Sequence, residues 1–92
     1  MKVTKLEMQF LDDVSNSDHS SDGYGLVAWV EKYNFSMSMK QVRAVMTTLQ
    51  AKSIIVVTLP AYGMPAWVEV NVEYQTESPE GWFVLHNLEV NA

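Results

Sequence analysis

The stretch SMSMKQVRAVMTTLQAKSII, residues 36–55, decides how the rest of the chain can be arranged. Its first apolar side chains recur at three- and four-residue steps, which places them on one stripe of a helix. They are Met39, Val42, Val45, Met46 and Leu49. Either Ser36 or Ser38 can cap this helix, because a serine hydroxyl accepts from a free backbone N–H. A β-branched run then ends at Pro60, which predicts a strand directly after the helix.

Two further helices are predicted before this stretch. Thr4 and Glu7 have the spacing of a capping box, and the apolar residues that follow predict a first helix within residues 1–14. A second helix is predicted over residues 23–34, because GYGLVAWVEKYN offers a broad apolar face. The central stretch supplies the third helix, over residues 37–51.

The C-terminal half is predicted to be β structure. Residues 53–74 are predicted to form a β-hairpin whose tip is the proline-bounded loop 60–65. Residues 67–74 alternate between apolar and polar side chains, as a half-buried antiparallel strand does. A polar turn over 75–81 and an extra strand over 82–90 complete the prediction.

The central stretch resembles the recognition helix and first wing strand of winged helix-turn-helix proteins. The resemblance rests on the spacing of a few residues and covers about residues 24–74. Those residues are Val42, Arg43, Met46, Leu49, Lys52, Ile54 and Ile55. It implies one α+β domain over residues 1–92: three helices, a β-hairpin wing and an extra C-terminal strand. In that family the third helix enters the major groove of DNA, and the wing contacts the flanking backbone.

The first functional hypothesis is therefore a small DNA-binding transcription regulator, expected to act as a homodimer because one such helix contacts few base pairs. In this hypothesis Arg43 contacts guanine, Gln41 contacts adenine and Lys52 holds a phosphate. The complete predicted DNA-binding set is Ser38, Lys40, Gln41, Arg43, Ala44, Thr47 and Lys52. Residues 36–53 support it, because they carry three basic residues and no acid.

The second hypothesis is an acidic protein–protein interaction module that docks on, or inhibits, a nucleic-acid-binding partner. Imitation of DNA by its acidic surface is one form of this hypothesis. The chain has a net charge of −5, and residues 54–92 carry five glutamates and no base. The predicted wing also lacks the Lys or Arg that would contact phosphate, and is aromatic instead. The predicted partner-binding residues are Tyr62, Met64, Trp67, Glu69 and Glu73.

Other classes of function find little support in the sequence. There is no cysteine, no glycine-rich phosphate loop and no HExxH motif, so we expect neither an enzyme nor a cofactor. His86 is expected to make a cross-strand hydrogen bond, and Asp18, His19 and Asp22 are expected to belong to a solvated loop rather than a metal site. No apolar run approaches the ~20 residues of a membrane span. With no secretion signal pattern at its start, the chain is expected to be cytoplasmic.

Overall fold

The computed structural model describes residues 1–17, 20, 25–31, 34–59 and 65–91, and these residues form two helices and seven short strands. In chain order they are β1 (Lys2–Val3), α1 (Lys5–Ser15), β2 (Val27–Trp29), α2 (Met39–Ala51), β3 (Ile55–Thr58), β4 (Trp67–Val70), β5 (Gln75–Glu77), β6 (Phe83–Leu85) and β7 (Glu89–Val90). A 3₁₀ turn over Val72–Tyr74 separates β4 from β5. The strands pair into one three-stranded and two two-stranded sheets.

The central stretch folds as its periodicity predicts. Helix α2 begins after Ser38, whose hydroxyl accepts from the backbone N–H of Gln41 while the Gln41 side chain accepts from the Ser38 N–H. Ser38 is therefore the cap, and Ser36 is not. The apolar stripe faces the core, where Val42, Val45 and Leu49 are buried.

Helix α2 ends in a Schellman motif, which turns the chain sharply into β3. The N–H of Ile54 donates to the carbonyl of Leu49 at 2.9 Å, and the N–H of Ser53 donates to Gln50 at 3.0 Å. Ser53 takes the left-handed conformation that the motif requires, with φ 60°. The turn places the Ile54 and Ile55 side chains in the core.

Helix α1 begins one turn later than residue 1, and its predicted capping box is confirmed. The Thr4 hydroxyl accepts from the N–H of Glu7, and the Glu7 carboxylate accepts from the N–H of Thr4. Phe10, Leu11 and Val14 are fully buried on its apolar face. The residues before the cap belong instead to β1, which pairs in parallel with β7.

The predicted second helix, and with it the three-helix winged helix-turn-helix architecture, is wrong. Within residues 23–34, the described part includes a strand, β2, that pairs antiparallel with β4. The apolar run LVAWV over 26–30 suits a buried strand as well as a helix, and tertiary pairing decided between them. Gly25 favours the strand, because its φ of +107° starts the segment in a conformation foreign to a helix.

The predicted hairpin exists, but it is the core of a larger sheet. Strands β3 and β4 pair antiparallel, and β2 adds to the other side of β4, giving the order β2-β4-β3. The predicted alternation holds along β4, where Val68 and Val70 are buried while Glu69 is exposed. Beyond β4 the predicted alternation fails, because residues 72–74 form the 3₁₀ turn. The predicted tip, residues 60–65, lies outside the described residues except for Pro65.

The predicted C-terminal arrangement also needs correction. Residues 75–77, expected to be part of a turn, form β5 and pair antiparallel with β6. The predicted strand 82–90 is divided into β6 and β7 by Asn87, whose φ is 61°. His86 lies in this break with an exposed side chain, and its backbone N–H donates to Tyr74 at 2.8 Å. The expected cross-strand contact is therefore made by the backbone.

The core lies between the two helices and the inner face of the three-stranded sheet. Phe10 of α1 stacks on Phe35, with ring centroids 4.9 Å apart and planes 4° from parallel. Leu26 and Ala28 bring β2 into the same cluster of buried side chains. The helices cover one face of this sheet, and the other face carries the aromatic residues described below.

Candidate functional site

The outer face of α2 is polar and exposed, as the DNA-binding hypothesis requires. Lys40, Arg43 and Ala44 are exposed along it. Arg43 therefore points away from the core. Ser38, Gln41 and Thr47 are exposed as well, but the members of the predicted set differ in how free their polar atoms are.

Three of the predicted polar side chains on α2 are bonded to the helix itself. Ser38 and Gln41 form its capping box, with contacts of 3.2 Å and 3.0 Å. The Thr47 hydroxyl donates to the carbonyl of Arg43, one turn back, at 3.0 Å. These hydrogen bonds stabilise α2 locally. The Ser38, Gln41 and Thr47 side chains would have to break them in order to contact a base.

Lys52, the predicted phosphate contact, is held in an ion pair. Its Nζ donates to Oε1 of Glu7 at 2.6 Å, and Glu7 is only 2 % exposed. Removing the ammonium from this position would leave a buried carboxylate without its charge partner, which is costly. Lys52 therefore serves the packing of α1 on α2.

Glu7 was predicted from the sequence only as part of a helix cap, but in the structure it makes further hydrogen bonds. Its Oε1 also accepts from the N–H of Thr4 at 2.8 Å, and its Oε2 accepts from the hydroxyl of Thr48 at 2.7 Å. Burial alone would raise the pKa of Glu7, but hydrogen bonds from Lys52, Thr4 and Thr48, with the Lys52 charge, bring the net pKa below its ordinary value. Glu7 thus stays ionised.

A shallow cavity of about 250 Å³ lies over this ion pair, between α1 and α2. It is lined by Thr4, Leu6, Glu7, Ala44, Val45, Thr48 and Lys52. Both carboxylate oxygens of Glu7 are already hydrogen-bonded to the protein. Among its described lining residues the cavity therefore presents no free charged group to a ligand. The Glu7 cluster connects the two helices structurally.

The outer face of the three-stranded sheet carries an aromatic pair in place of a polar surface. Trp29 of β2 lies directly opposite Trp67 of β4, with ring centroids 4.7 Å apart and planes at 62°. The Trp67 Nε1 donates to Oε1 of Glu69 at 2.8 Å. Val56 of β3 lies opposite Glu69 and is 50 % exposed. We call these four residues, Trp29, Val56, Trp67 and Glu69, the tryptophan face.

The C-terminal half carries further exposed acids beyond the tryptophan face. The predicted partner-binding residue Glu73 is exposed, and so are Glu77, Glu80 and Glu89. Residues 53–92 contain no Lys or Arg to balance them. Of the other predicted partner-binding residues, Trp67 and Glu69 lie on the tryptophan face, while Tyr62 and Met64 lie outside the described residues.

Trp29 belongs to the segment predicted as the second helix, where it would be a core anchor, but the structure gives it a different position. It is half-buried on the solvent side of a strand, opposite Trp67. The residues that could have indicated this position are Ala28 and Val30, which flank Trp29 and alternate with it if the segment is a strand. Only the pairing with β4 decides that alternation.

The described residues offer no group of three or more His, Cys, Asp or Glu side chains that could hold a metal ion. Asp18, His19 and Asp22, predicted to form a solvated loop, lie outside the described residues. Among the helices that the structure describes, none is long and apolar enough to cross a membrane.

Comparison of the chain with known proteins found no matching family model, no similar curated protein and no similar solved structure.

Proposed function

We propose that this protein is an acidic interaction module, and that its tryptophan face binds a basic segment of a partner protein. The observation that carries the proposal is the Trp29–Trp67 pair on the solvent side of the sheet, with the Glu69 carboxylate beside it. Tryptophan residues that are partly exposed supply much of the binding energy in protein interfaces.

The chemistry of this face favours arginine in the partner. A guanidinium group stacks on the face of a tryptophan ring and pairs with a carboxylate through two N–H groups. Trp29 offers the ring and Glu69 the carboxylate. Trp67 links the two, because its ring centroid lies 4.7 Å from that of Trp29 and its indole N–H holds the Glu69 carboxylate at 2.8 Å. Exposed Val56, opposite Glu69, adds apolar area beside them.

Long-range charge supports a basic partner. The net charge of −5 raises the local concentration of cationic segments and repels phosphate. The described carboxylates beyond residue 53 have no basic side chain within ion-pair distance, so they remain free to attract one. A second copy of this acidic chain is the poorer occupant for the same reason, and the expected homodimer stays a prediction.

DNA binding through α2 also stays a prediction, with weaker support. Lys40 and Arg43 are exposed, but Lys52 is paired with Glu7. Two free cations are few, because neutralised phosphates supply most of the non-specific affinity for DNA. The winged-helix architecture that gave α2 its recognition role is not the one observed.

The test is a titration of the full chain with three soluble peptides that differ only in having arginine, lysine or glutamate at spaced positions. The indole N–H signals of Trp29 and Trp67 are followed by NMR. We expect the arginine peptide to move both signals saturably, the lysine peptide to bind more weakly, and the glutamate peptide not to bind. Binding should weaken as salt is raised, because the attraction is largely electrostatic.

Glu69→Gln is the decisive variant, since it removes one charge while keeping the size of the side chain. We expect about a tenfold loss of affinity for the arginine peptide, as for a charge-assisted pair at an interface. Glu89→Gln, an equally exposed acid on β7, is the matched control and should lose little. Equal losses in the two variants would reduce the effect to net charge. Salt-dependent binding of random duplex DNA by this chain, lost in Arg43→Ala, would favour the DNA hypothesis instead.

A further inference from the structure

A second, separate cavity lies between the end of α1 and strand β6. It encloses about 490 Å³, within the range of about 300–1,000 Å³ that small-molecule sites occupy. Its described lining consists of Ser15, Asn16, Ser17, Ser20, Trp82, Phe83 and Val84. None of these residues belongs to the tryptophan face, so this cavity is independent of the proposed peptide site.

One wall of this cavity is aromatic and open to solvent. Trp82 is 54 % exposed, which is unusual for the largest apolar side chain unless the ring has a partner. Within the described part of the chain its indole N–H has no hydrogen-bond acceptor, so a flat apolar surface and a free donor lie at the cavity wall. Phe83 and Val84 beside it are half-buried and continue the apolar surface inward.

The opposite wall is polar and partly rigid. The Ser20 hydroxyl, 4 % exposed, accepts from the N–H of Val27 at 2.9 Å and lies 2.8 Å from the carbonyl of Val14, to which it can donate. The Ser17 hydroxyl donates to the carbonyl of Val27 at 2.5 Å. These hydrogen bonds hold this wall of the cavity against β2. A ligand would therefore meet a wall that is already ordered, which lowers the entropy lost on binding.

Two polar side chains of the same wall are free to contact a ligand. Ser15 and Asn16, the last residue of α1 and its C-cap, make no side-chain hydrogen bond with any other described residue. A serine hydroxyl donates and accepts, and an asparagine amide offers both two donors and an acceptor. Together they match a group such as a sugar hydroxyl, which also donates and accepts.

The charge of the chain narrows the class of ligand. A phosphate or carboxylate ligand is disfavoured, because the net charge of −5 repels anions. The combination of an exposed indole face with hydroxyl and amide groups suits a neutral molecule that is apolar on one flat side and hydroxylated at its rim. We propose that this cavity binds a neutral saccharide, with one pyranose ring stacked on Trp82 and its hydroxyls bonded to Ser15 and Asn16.

The experiment is an NMR titration of the full chain with cellotriose, a neutral glucan whose rings have flat apolar faces. The indole N–H signal of Trp82 is followed, with those of Trp29 and Trp67 as internal controls in the same spectrum. Sugar concentrations reach about 20 mM, so that a Kd near 1 mM is measured. We expect the Trp82 signal to shift saturably while the two control signals stay in place.

Variants separate stacking from hydrogen bonding. Trp82→Ala should abolish binding, and because the ring is largely exposed the fold should persist, as checked by thermal unfolding. Asn16→Ala should weaken binding about five- to tenfold, the effect of losing one hydrogen bond. Val72→Ala, which shortens an exposed apolar side chain outside the described lining of the cavity, should leave binding unchanged.

Three results would overturn the proposal. They are an unmoved Trp82 signal at the highest sugar concentration, unchanged binding in Trp82→Ala, and equal shifts of all three indoles. The proposal would also be overturned if adenosine bound as tightly as cellotriose or more tightly. That result would assign the cavity to flat aromatic ligands. None of these results bears on peptide binding at the tryptophan face, so the two proposals fail separately.

Discussion

Lys52 and Glu7, 45 residues apart in sequence, form a 2.6 Å ion pair that joins the end of α2 to the first turn of α1. The Glu7 carboxylate is buried and the Lys52 ammonium is partly exposed, so the two groups differ in how much hydration they lose on folding. Glu7 has lost most of its water and depends on its protein donors, whereas Lys52 keeps some of its hydration. This asymmetry makes specific predictions about stability.

Replacing Lys52 by methionine should destabilise the protein by about 1–3 kcal/mol, because it leaves a buried carboxylate with one fewer donor. Urea unfolding at neutral pH measures the effect. Lys40→Met, which removes an exposed lysine from the same helix, should change stability by less than about 0.5 kcal/mol. If both variants lose the same amount, the pair has no particular role in stability.

The stability of the protein should fall in acid partly through Glu7. Its pKa is lower in the folded state than in the unfolded chain, because the donors from Lys52, Thr4 and Thr48 outweigh the opposing effect of burial. The contribution of Glu7 to the free energy of unfolding is therefore fully present above about pH 4.3, the ordinary glutamate pKa. It is lost as the pH falls through the lowered pKa of the folded state.

Unfolding free energies measured from pH 7 to pH 3 test this assignment. In Glu7→Gln the loss of stability between pH 5 and pH 3 should be smaller than in the parent protein. Glu89→Gln, which changes an exposed carboxylate on β7, is the control and should keep the acid limb of the parent. If Glu7→Gln lost as much stability between pH 5 and pH 3 as the parent protein, other groups would be responsible for the pH dependence.

Ser53→Gly should stabilise the protein by about 1 kcal/mol, because Ser53 has a φ of 60° and a left-handed conformation is costly for a residue with a Cβ. Thermal and urea unfolding both report it. The opposite change should follow two residues earlier, where Ala51→Gly weakens the last turn of α2 by about 1 kcal/mol. Opposite signs for two glycines placed so close together would locate the end of α2 between them.

Gly25 and Gly81 form a matched pair, since both have positive φ but only one is crowded. At Gly25, φ +107°, an added Cβ would lie 3.1 Å from Oε1 of Gln75. At Gly81, φ +96°, an added Cβ would have no atom of a described residue within 4 Å. The same Gln75 oxygen accepts from the N–H of Leu26 at 2.9 Å, so a shift would disturb the start of β2.

We expect Gly81→Ala to cost about 1 kcal/mol, the conformational penalty alone. Gly25→Ala should cost more than that, by up to about another 1–2 kcal/mol, because the hydrogen bond from Leu26 is strained as well. Urea unfolding of the two variants gives the difference. Equal losses would mean that Gln75 moves away without cost.

Some elements of this fold are local, and the sequence alone determined them. The capping boxes of Thr4 with Glu7 and of Ser38 with Gln41 satisfy backbone donors within one turn, so both helix starts follow from nearby residues. The apolar stripe of α2 and the strand after it are likewise properties of neighbouring side chains. The net charge of −5 and its concentration of acids beyond residue 53 are fixed by composition.

Other features depend on residues far apart in the chain, and only the tertiary structure decided them. The run around Ala28 suits a helix or a strand, and it becomes a strand because β4 supplies backbone partners about 40 residues away. That choice places Trp29 opposite Trp67 instead of in the core. Lys52 looks free for phosphate until the fold brings Glu7 to it. Hydrogen bonds between neighbouring residues can be predicted from the sequence. Strand pairing and the burial of charge depend on contacts between segments that are far apart in the chain.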